Sequence, residues 1–415
     1  MMKKTLTGNE AAAWAVRAAR ARAAFSFPMG PNAEVTETLQ GFIDRGEVQD
    51  LRIIYGDNEK ASASMQIGLT RFGLRSMLCI NSEGLLWATA EIHYASGSRF
   101  PLLLVCPSRA LEPPTTIYCD HDDFISQRDM GWLMFYCEDA QDIFDTILQA
   151  YKIIEDESVM LPAIVGYDGW ETSHASTLVN LPDQEVIDRF LPSPRFIKPE
   201  KDYLQVNWKE RFRQRRRQKG VSGRDFMEVK YLQKKAEEEA IQVIEKVGRE
   251  FTQTFGSTHV GPLESHACQD AEIILITMGN LYPSVRFVVD ALREQGVKVG
   301  SIKLRVFRPF PTHALREAVK NAKLVIAIDR NTLAALYHEL RDGFYPTESN
   351  GAVPATPMVM GKVVGIGGAA VPPEYFSDIV EEGLRVLEQG RVEKGLEWYK
   401  IKGIPFDPTR DVLAE

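Results

Sequence analysis

Short, uninterrupted apolar runs recur along this chain, and segments with helical spacing separate them. The runs in the first part of the sequence are RSMLCIN (75–81), FPLLLVCP (100–107) and MLPAIVGYD (160–168). GLLWATAEIHYASG (84–97) and AQDIFDTILQAYKIIED (140–156) are amphipathic and predict helices. Because a strand that is apolar on both faces must be covered on both faces, this pattern predicts an α/β fold built on a parallel sheet.

The same alternation returns in the last third of the chain. AEIILITMG (271–279), VKVGSIKLRVF (297–307) and KLVIAIDRN (323–331) predict strands, while VRFVVDALREQG (285–296) and THALREAVKNA (312–322) predict helices. Strands and helices in this order form βαβ units, so we expect a second α/β domain.

These patterns divide the chain into four zones. We predict an α/β domain over 1–195, a basic linker and charged helix over 196–257, a second α/β domain over 258–390 and a C-terminal tail over 391–415. The linker contains seven basic residues in eleven positions, 209–219. A solvated face is the default interpretation of such a run, and docking to an acidic partner subunit is the alternative.

The composition excludes several classes of protein. A net charge of −8 over 415 residues argues against a nucleic-acid binder, which would be basic. No segment approaches the ~20 apolar residues that span a bilayer. The N-terminal MMKKTLTGNEAAAWAV predicts a capped helix and not a signal peptide, so we expect a cytoplasmic protein. None of the five cysteines has the spacing of an iron–sulfur or zinc site, so we expect buried thiols and no metal.

Four stretches of the first domain go beyond a generic α/β pattern. They are FPMGPNAEV (27–35), YGDNEKASASMQIGLTRFG (55–73), PSRALEPPTTIYCDHDDFISQRDMGW (107–132) and YDGWETSH (167–174). Together with LRVFRPFPTHALREAVKNAKLVIAIDRN (304–331), they resemble the alpha-type subunit of thiamine-dependent 2-oxoacid:acceptor oxidoreductases, the family of pyruvate:ferredoxin oxidoreductase. The resemblance covers nearly the whole chain in the same order.

The resemblance implies a pyrimidine-binding α/β domain and a second domain like the C-terminal domain of transketolase. Such enzymes decarboxylate a 2-oxoacid on thiamine diphosphate, pass electrons to iron–sulfur clusters and usually release an acyl-CoA. The diphosphate and Mg²⁺ lie on a beta-type partner with a GDG…N motif, and the 4Fe–4S clusters lie on gamma-type and ferredoxin-like partners. The closest strings here, GDNE (56–59) and YDGW (167–170), lack the matching Asn. We therefore expect only the pyrimidine half of the active site in this chain.

Glu59 is the first candidate for a catalytic residue and cofactor contact. It lies between the strand LRIIYG (51–56) and a helical stretch of small residues, ASASMQIG (61–68), at the ligand-binding edge of an α/β sheet. The family has a Glu at the matching place, in an ESE-like string, and its carboxylate contacts N1′ of the thiamine pyrimidine. That contact favours the tautomer whose nitrogen removes the C2 proton. The alternative is an acid that stabilises a helix N-terminus.

Arg109 is the second catalytic candidate, and the resemblance assigns it to the substrate. A guanidinium binds a carboxylate through two hydrogen bonds, and in the family the Arg of this RAL string contacts the carboxylate of the 2-oxoacid. The alternative is a structural ion pair with the acidic stretch Asp120, Asp122 and Asp123.

Gly30 is the most informative departure from the family. Pyruvate-using relatives have a Thr in an FPITP-like string, and its hydroxyl touches the substrate, whereas this chain has FPMGP. Because small pockets discriminate by size, the open position predicts a substrate bulkier than pyruvate, branched or aromatic, such as phenylglyoxylate, with a pyruvate- or 2-oxoisovalerate-type substrate as the alternative. The alternative is a turn that needs a positive φ between Pro28 and Pro31. Pro28 itself is a predicted cofactor contact.

Several other residues adjoin the predicted site. NSEGLL (81–86) matches the SQGL-like string beside the pyrimidine, so Glu83 and Gly84 are predicted cofactor contacts. Glu83 replaces the usual Gln, and its alternative role is that of an ordinary acid at a helix start. His121 and His174 are expected to organise loops.

The second domain departs from the family where a Gly-rich stretch normally follows the DRN string. Here NTLAALYHELRDG follows it, and GIGGAAVPPEYF (365–376) lacks the charged pair that often follows the glycines. We therefore interpret this domain as an assembly module. Two competing hypotheses are a non-catalytic scaffold that covers a partner's cofactor and a transketolase- or decarboxylase-like enzyme without iron–sulfur subunits.

Overall fold

The computed structural model describes residues 2–193, 223–345 and 356–401. Two mainly parallel sheets flanked by helices confirm the predicted α/β class. The predicted domain boundary at 195 and the basic run 209–219 lie outside the described residues, and so does the end of the predicted tail, 402–415.

The chain up to residue 193 alternates strands with helices. Its strands are β1 (Met2–Leu6), β2 (Ala23–Ser26), β3 (Arg52–Tyr55), β4 (Ser76–Cys79), β5 (Leu103–Ser108), β6 (Leu133–Cys137), β7 (Ala163–Asp168) and β8 (Thr177–Leu181). Its helices are α1 (Gly8–Ala18), α2 (Ala33–Asp44), α3 (Glu59–Thr70), α4 (Ser82–Trp87), α5 (Thr89–Gly97), α6 (Asp122–Ile125), α7 (Ala140–Ile154) and α8 (Gln184–Phe190). Six strands form a parallel sheet in the order β6-β7-β5-β4-β2-β3, and β1 pairs antiparallel with β8.

Successive side chains of this sheet enter two different cores, as the pleat of a strand requires. In β2, for example, Ala24 faces the core built with α1, α2 and α7, whereas Phe25 faces the core built with α3, α4 and α5. Both faces of the sheet are therefore covered, which explains why its strands are apolar without alternation.

The rest of the described chain begins with a long helix and continues as a second sheet. The helices are α9 (Gly223–Phe255), α10 (Leu281–Glu294), α11 (Thr312–Val319), α12 (Ala335–Phe344) and α13 (Pro373–Gln389). The strands are β9 (Leu263–His266), β10 (Ile273–Thr277), β11 (Val299–Leu304), β12 (Val306–Arg308), β13 (Leu324–Asp329), β14 (Met358–Val363) and β15 (Leu396–Trp398). The sheet order is β15-β14-β13-β10-β11-β9, with only β9 antiparallel to its neighbour. β15 extends this sheet into the segment predicted as a tail.

Helix α9 is the charged helix predicted after the linker. Its apolar stripe, which includes Ala240, Ile244, Val247 and Phe251, is buried in the core beside α7. Phe251 packs edge-on against Phe190 of α8, with the ring centroids 5.2 Å apart. Among the described helices, none combines the length and the apolar character that crossing a membrane requires.

Strand β12 joins the two halves of the molecule. It leaves the second sheet after β11 and pairs antiparallel with β6, where Val306 lies opposite Phe135. One apolar core also crosses the junction, because Ile274 and Val325 of the second sheet pack in the same cluster as Leu104 of the first. The two α/β units therefore share both a sheet and a core.

A buried ion cluster lies at the same junction. Lys303 of β11 is fully buried, and its Nζ lies 2.6 Å from Glu138 Oε1, 3.0 Å from Glu264 Oε2 and 3.6 Å from Asp142 Oδ2. Arg305 also pairs with Asp142, at 3.0 Å. Burial alone would lower the pKa of Lys303, but Asp142 and Glu138 raise it, so the ammonium stays charged.

Candidate active site

The predicted site residues come together at the carboxyl-terminal edge of the first sheet. Pro28 and Gly30 follow β2, Glu59 follows β3, and Arg109 follows β5. Because β3, β2, β4 and β5 are neighbours and parallel, the loops after them meet at one edge. Pro28 is exposed there, in the loop that leads to Gly30.

Glu59 is the first residue of α3, and its side chain is secluded. Asn58 caps the helix by accepting a hydrogen bond from Ala61 N at 2.9 Å, which fixes where Glu59 begins the first turn. Glu59 is only 4% exposed, yet within the described part of the chain its carboxylate has no hydrogen-bond or ion-pair partner. Its oxygens are not among the fully enclosed polar atoms without a partner, so they stay accessible and can accept a hydrogen bond from a molecule outside the chain.

Gly84 makes room for that carboxylate. A Cβ at position 84 would lie 2.4 Å from Glu59 Oε1 and 2.5 Å from Cδ, which is closer than nonbonded atoms approach. The absence of a side chain on α4 thus allows the Glu59 carboxylate to lie against the helix. The sequence predicted both residues at the site, and the structure brings them into contact.

Glu83, the neighbour of Gly84, has a different position. Its side chain is exposed, and its carboxylate accepts hydrogen bonds from the Ser82 hydroxyl (2.6 Å) and from the Glu112 amide. Burial would raise the pKa of Glu83, but these hydrogen bonds lower it. Glu83 thus holds the loop that follows β5, and its contact with a cofactor stays a prediction.

Asp123 ties two of the loops together. Its Oδ2 accepts hydrogen bonds from Ser82 N (2.8 Å) and Arg109 N (3.0 Å), so it fixes the chain after β4 relative to the chain after β5. Ser82 has a φ of 53°, a left-handed conformation that these contacts hold in place. Burial raises the pKa of Asp123 to about 6. Nothing in the sequence distinguished this residue from Asp120 and Asp122.

Arg109 is 9% exposed, and three acceptors hold its guanidinium. Nε donates to Thr116 O (3.1 Å), Nη1 to Gly30 O (3.3 Å), and Nη2 to Glu112 Oε1 (2.8 Å). The alternative expectation, an ion pair with the acidic stretch that contains Asp123, was wrong: the guanidinium pairs with Glu112, and only the backbone amide of Arg109 reaches Asp123. Arg109 and Gly30, both predicted to bind substrate, are direct neighbours.

Neither a positive φ nor a steric clash of a side chain explains why residue 30 is a glycine. Its φ lies outside the positive range, so the turn that needs a positive φ was a wrong expectation. Within the described ranges of the chain, a Cβ at this position would meet one atom within 4 Å, Trp170 Cζ2, at an ordinary contact distance of 3.7 Å. The missing side chain therefore leaves open space beside Arg109, bounded by an indole.

Behind the site, a buried polar cluster joins the two halves of the chain. His121 Nε2 lies 3.1 Å from Asp168 Oδ1, and Arg330 Nη1 lies 3.1 Å from the same oxygen. Burial would raise the pKa of Asp168, but His121 and Arg330 lower it to about 2. Arg330 also forms two hydrogen bonds with Glu171, at 2.7 and 2.6 Å. His174 stacks on Trp170, with centroids 4.4 Å apart.

The Gly-rich loop of the second domain also reaches the site. A Cβ on Gly368 would lie 2.3 Å from Tyr118 Cβ, and one on Gly367 would lie 3.6 Å from Thr116 Cγ2. This loop therefore packs on the segment whose carbonyl, Thr116 O, accepts from Arg109. The sequence suggested an assembly module, and the contacts show in addition that the domain supports the Arg109 loop.

The site thus contains, at the edge of a parallel sheet, a carboxylate that has no partner in the described part of the chain, and the sequence lacks a GDG…N motif. Residues 14–249 match the family model described as "Pyruvate flavodoxin/ferredoxin oxidoreductase, thiamine diP-bdg". Residues 271–376 match "Pyruvate:ferredoxin oxidoreductase core domain II". The chain therefore belongs to the family of alpha-type subunits of 2-oxoacid:ferredoxin oxidoreductases, as the sequence motifs predicted.

Relatives match over almost the full length. Pyruvate synthase subunit PorA of Pyrococcus furiosus is 33% identical over 408 residues, which cover 97% of this chain and 98% of that protein. Ketoisovalerate oxidoreductase subunit VorA of Pyrococcus horikoshii is 34% identical over 404 residues, with the same coverage of 97% and 98%.

A solved structure has the same fold. It is the 2-oxoglutarate:ferredoxin oxidoreductase from Magnetococcus marinus, with a TM-score of 0.70 and 15% identity. The match covers 92% of this chain, which spans 65% of that longer chain. At this identity the likeness concerns the fold alone.

Proposed function

We propose that this chain supplies the pyrimidine half of the thiamine diphosphate site in an enzyme that oxidatively decarboxylates a branched aliphatic 2-oxoacid. The observation that carries the proposal is the carboxylate of Glu59, a residue only 4% exposed: the carboxylate lies against Gly84, has no partner in the described part of the chain and stays accessible from outside. A ring nitrogen that shares a proton with this carboxylate would satisfy it, so the residues present fit the pyrimidine.

The site residues of this chain have different roles in the proposed reaction. Thiamine diphosphate supplies, when bound, the nucleophilic carbon and the electron sink for decarboxylation. Glu59 holds the proton at N1′ of the pyrimidine, and the packing against Gly84 fixes the position of its carboxylate. Arg109 binds the carboxylate of the 2-oxoacid, which takes the place that the partly exposed Glu112 carboxylate has in this structure.

Exposed aromatic residues on the elements around Glu59 support the proposal that a partner subunit completes the site. Phe72, Trp87, Tyr55 and Tyr94 are 63%, 59%, 50% and 47% exposed, and they lie on or next to β3, α3, α4 and α5. Helix α3, which begins at Glu59, contacts both α4 and α5, and large exposed apolar side chains on packed elements favour a protein interface. We assign these residues to the contact with the beta-type subunit that holds the diphosphate and Mg²⁺, while gamma-type and ferredoxin-like subunits hold the 4Fe–4S clusters.

The substrate side chain is inferred from Gly30. Space beside Arg109 is open at Gly30 and ends at Trp170, which favours a branched aliphatic group over a methyl group. The two relatives described above are named for pyruvate and ketoisovalerate, and neither name supports phenylglyoxylate. We therefore propose 2-oxoisovalerate as the representative substrate.

A substrate panel tests this proposal with the complex purified with its native partners. We expect kcat/KM for 2-oxoisovalerate to exceed that for pyruvate by about tenfold or more, because each methylene contributes about 1–3 kcal/mol in a fitted pocket. Reduction of a viologen dye gives the rate, and acyl-CoA formation shows whether CoA is the co-substrate. A preference for pyruvate would refute the branched substrate, and inactivity with every 2-oxoacid would refute the function.

Gly84 offers a second test of the same site. Gly84→Ala forces the Glu59 carboxylate to move, and we expect kcat of the complex to fall about a hundredfold, the effect of misplacing a catalytic group by about 1 Å. Gly343→Ala is the matched control, because its Cβ would make only ordinary contacts in α12, 3.4 Å or more away. Equal rates for the two variants would show that the position of Glu59 does not matter.

A further inference from the structure

Trp170 lies beside the space left by Gly30. Among the residues that the structure describes, leaving out the two chain neighbours of Gly30, Trp170 alone has an atom, Cζ2, within 4 Å of a Cβ built on Gly30. Gly30 O in turn accepts from Arg109 Nη1 at 3.3 Å. Gly30 therefore lies between two side chains. On one side is the guanidinium of Arg109, the proposed binding group for the substrate carboxylate, and on the other is the indole edge of Trp170.

The backbone of Trp170 is held in an unusual conformation. Its φ is 62°, a left-handed value that is unfavourable for a bulky residue and persists only where the surroundings enforce it. The residue before it must be a glycine for the turn to lie close to the end of β5, because a Cβ on Gly169 would lie 2.3 Å from Ser108 O. The amide of Trp170 donates to Ser173 Oγ at 2.7 Å, which closes the turn.

The ring of Trp170 is fixed by its neighbours and not by its own N–H. It stacks on His174 with an interplanar angle of 15°, and the Ser173 hydroxyl holds His174 Nδ1 at 2.7 Å. Trp170 Nε1 is buried and has no hydrogen-bond partner in the described part of the chain. The next residue, Glu171, is bound by Arg330 of the second domain. The left-handed backbone, the stacked ring and the N–H without a partner all belong to Trp170, and together they indicate that this residue has a role at the site.

We propose that Trp170 determines which 2-oxoacids this enzyme accepts, with its indole as the rigid end wall of the space that Gly30 leaves open. The inference rests on the proposed function and adds a residue to it. The side chain of the 2-oxoacid extends from Arg109 past Gly30 and stops at the indole. The wall thus admits a short branched chain and excludes longer or aromatic ones.

The test uses the purified complex with Trp170→Ala and Trp170→Phe, each assayed on pyruvate, 2-oxoisovalerate, 4-methyl-2-oxopentanoate and phenylglyoxylate. We expect Trp170→Ala to raise kcat/KM for the two longest substrates by about tenfold relative to 2-oxoisovalerate. Trp170→Phe keeps an aromatic ring to stack on His174 and should give a smaller shift of the same sign. Trp398→Phe, at an exposed position on β15, is the matched control and should leave the ratios unchanged.

A second comparison separates selectivity from structural support. Gly30→Ala should favour pyruvate, and its effect on the substrate ratios should not add to that of Trp170→Ala, because residues in contact couple. An equal fall on all four substrates, or unchanged ratios in both Trp170 variants, would overturn the inference while the proposed function stands. A wild-type complex that turns over none of the four would instead overturn the proposed function.

Discussion

Glu59→Gln abolishes turnover of the assembled complex and leaves the complex itself intact. We expect the rate of 2-oxoacid-dependent dye reduction to fall by about a thousandfold or more, within the range for loss of a positioned acid–base group. The substitution keeps the volume of the side chain but removes the group that shares a proton with N1′. Because Glu59 has no partner inside the described chain, the variant breaks no internal ion pair.

The experiment compares Glu59→Gln with Glu37→Gln, an exposed acid on α2 of the same domain. Native mass of the purified assembly and thiamine diphosphate content are measured beside the rate. If the Glu59 variant assembles and binds thiamine diphosphate but is inactive, Glu59 is required for catalysis and not for assembly. A near-normal rate would favour the competing hypothesis, in which the chain only covers the cofactor of its partner.

Lys303→Met produces the largest expected loss of stability. The ammonium is fully buried among Glu138, Asp142 and Glu264. Its removal leaves the mostly buried Glu138 carboxylate without its closest cation, whereas Asp142 keeps Arg305. We expect the free energy of unfolding to fall by about 3–5 kcal/mol, the usual effect of breaking a buried ion pair. Lys298→Met, an exposed position just before β11, should change it by about 0.5 kcal/mol or less.

The loss of stability in Lys303→Met is expected to increase with pH. Burial raises the pKa of Glu138, and removal of Lys303 raises it further. A group whose pKa is raised in the folded state stabilises the fold while it is protonated and loses this effect as pH rises through that pKa. The variant should therefore be more destabilised at pH 8 than at pH 6 in urea unfolding. Adding Glu138→Gln should restore part of the loss at pH 8, and no recovery would show that the ion pair is not its cause.

The sequence predicted the strands and helices better than their connections. The run 297–307 combines apolar residues with three basic ones and predicts one strand, yet the structure has β11 and β12 in two different sheets. Both strands are mostly buried, and the residue pattern that burial produces contains no information on the pairing partner. The predicted helix 84–97 is likewise two helices, α4 and α5, which meet at Ala88.

At the candidate site, the sequence predicted which residues come together but not the contacts that position their side chains. Glu59 and Arg109 could be placed at strand ends from the sequence, whereas Gly30 and Gly84 were assigned to the site by the resemblance to the family. The hydrogen bonds that position them depend on residues close in space and far apart in sequence. Asp123 holds Ser82 and Arg109 from 41 and 14 positions away, a relation that no local pattern predicts.

Strand β12 has a consequence for how the protein is made. β6 ends at Cys137, but the strand that covers its outer edge ends at Arg308, so the ribosome must add another 171 residues before that edge can be closed. At about 5–20 residues per second, this interval lasts on the order of 10–30 s. During it, the nascent chain displays an unpaired edge and a half-covered core, which are binding targets for chaperones. A gene split between the two domains would leave that edge of β6 unpaired until the two products associate.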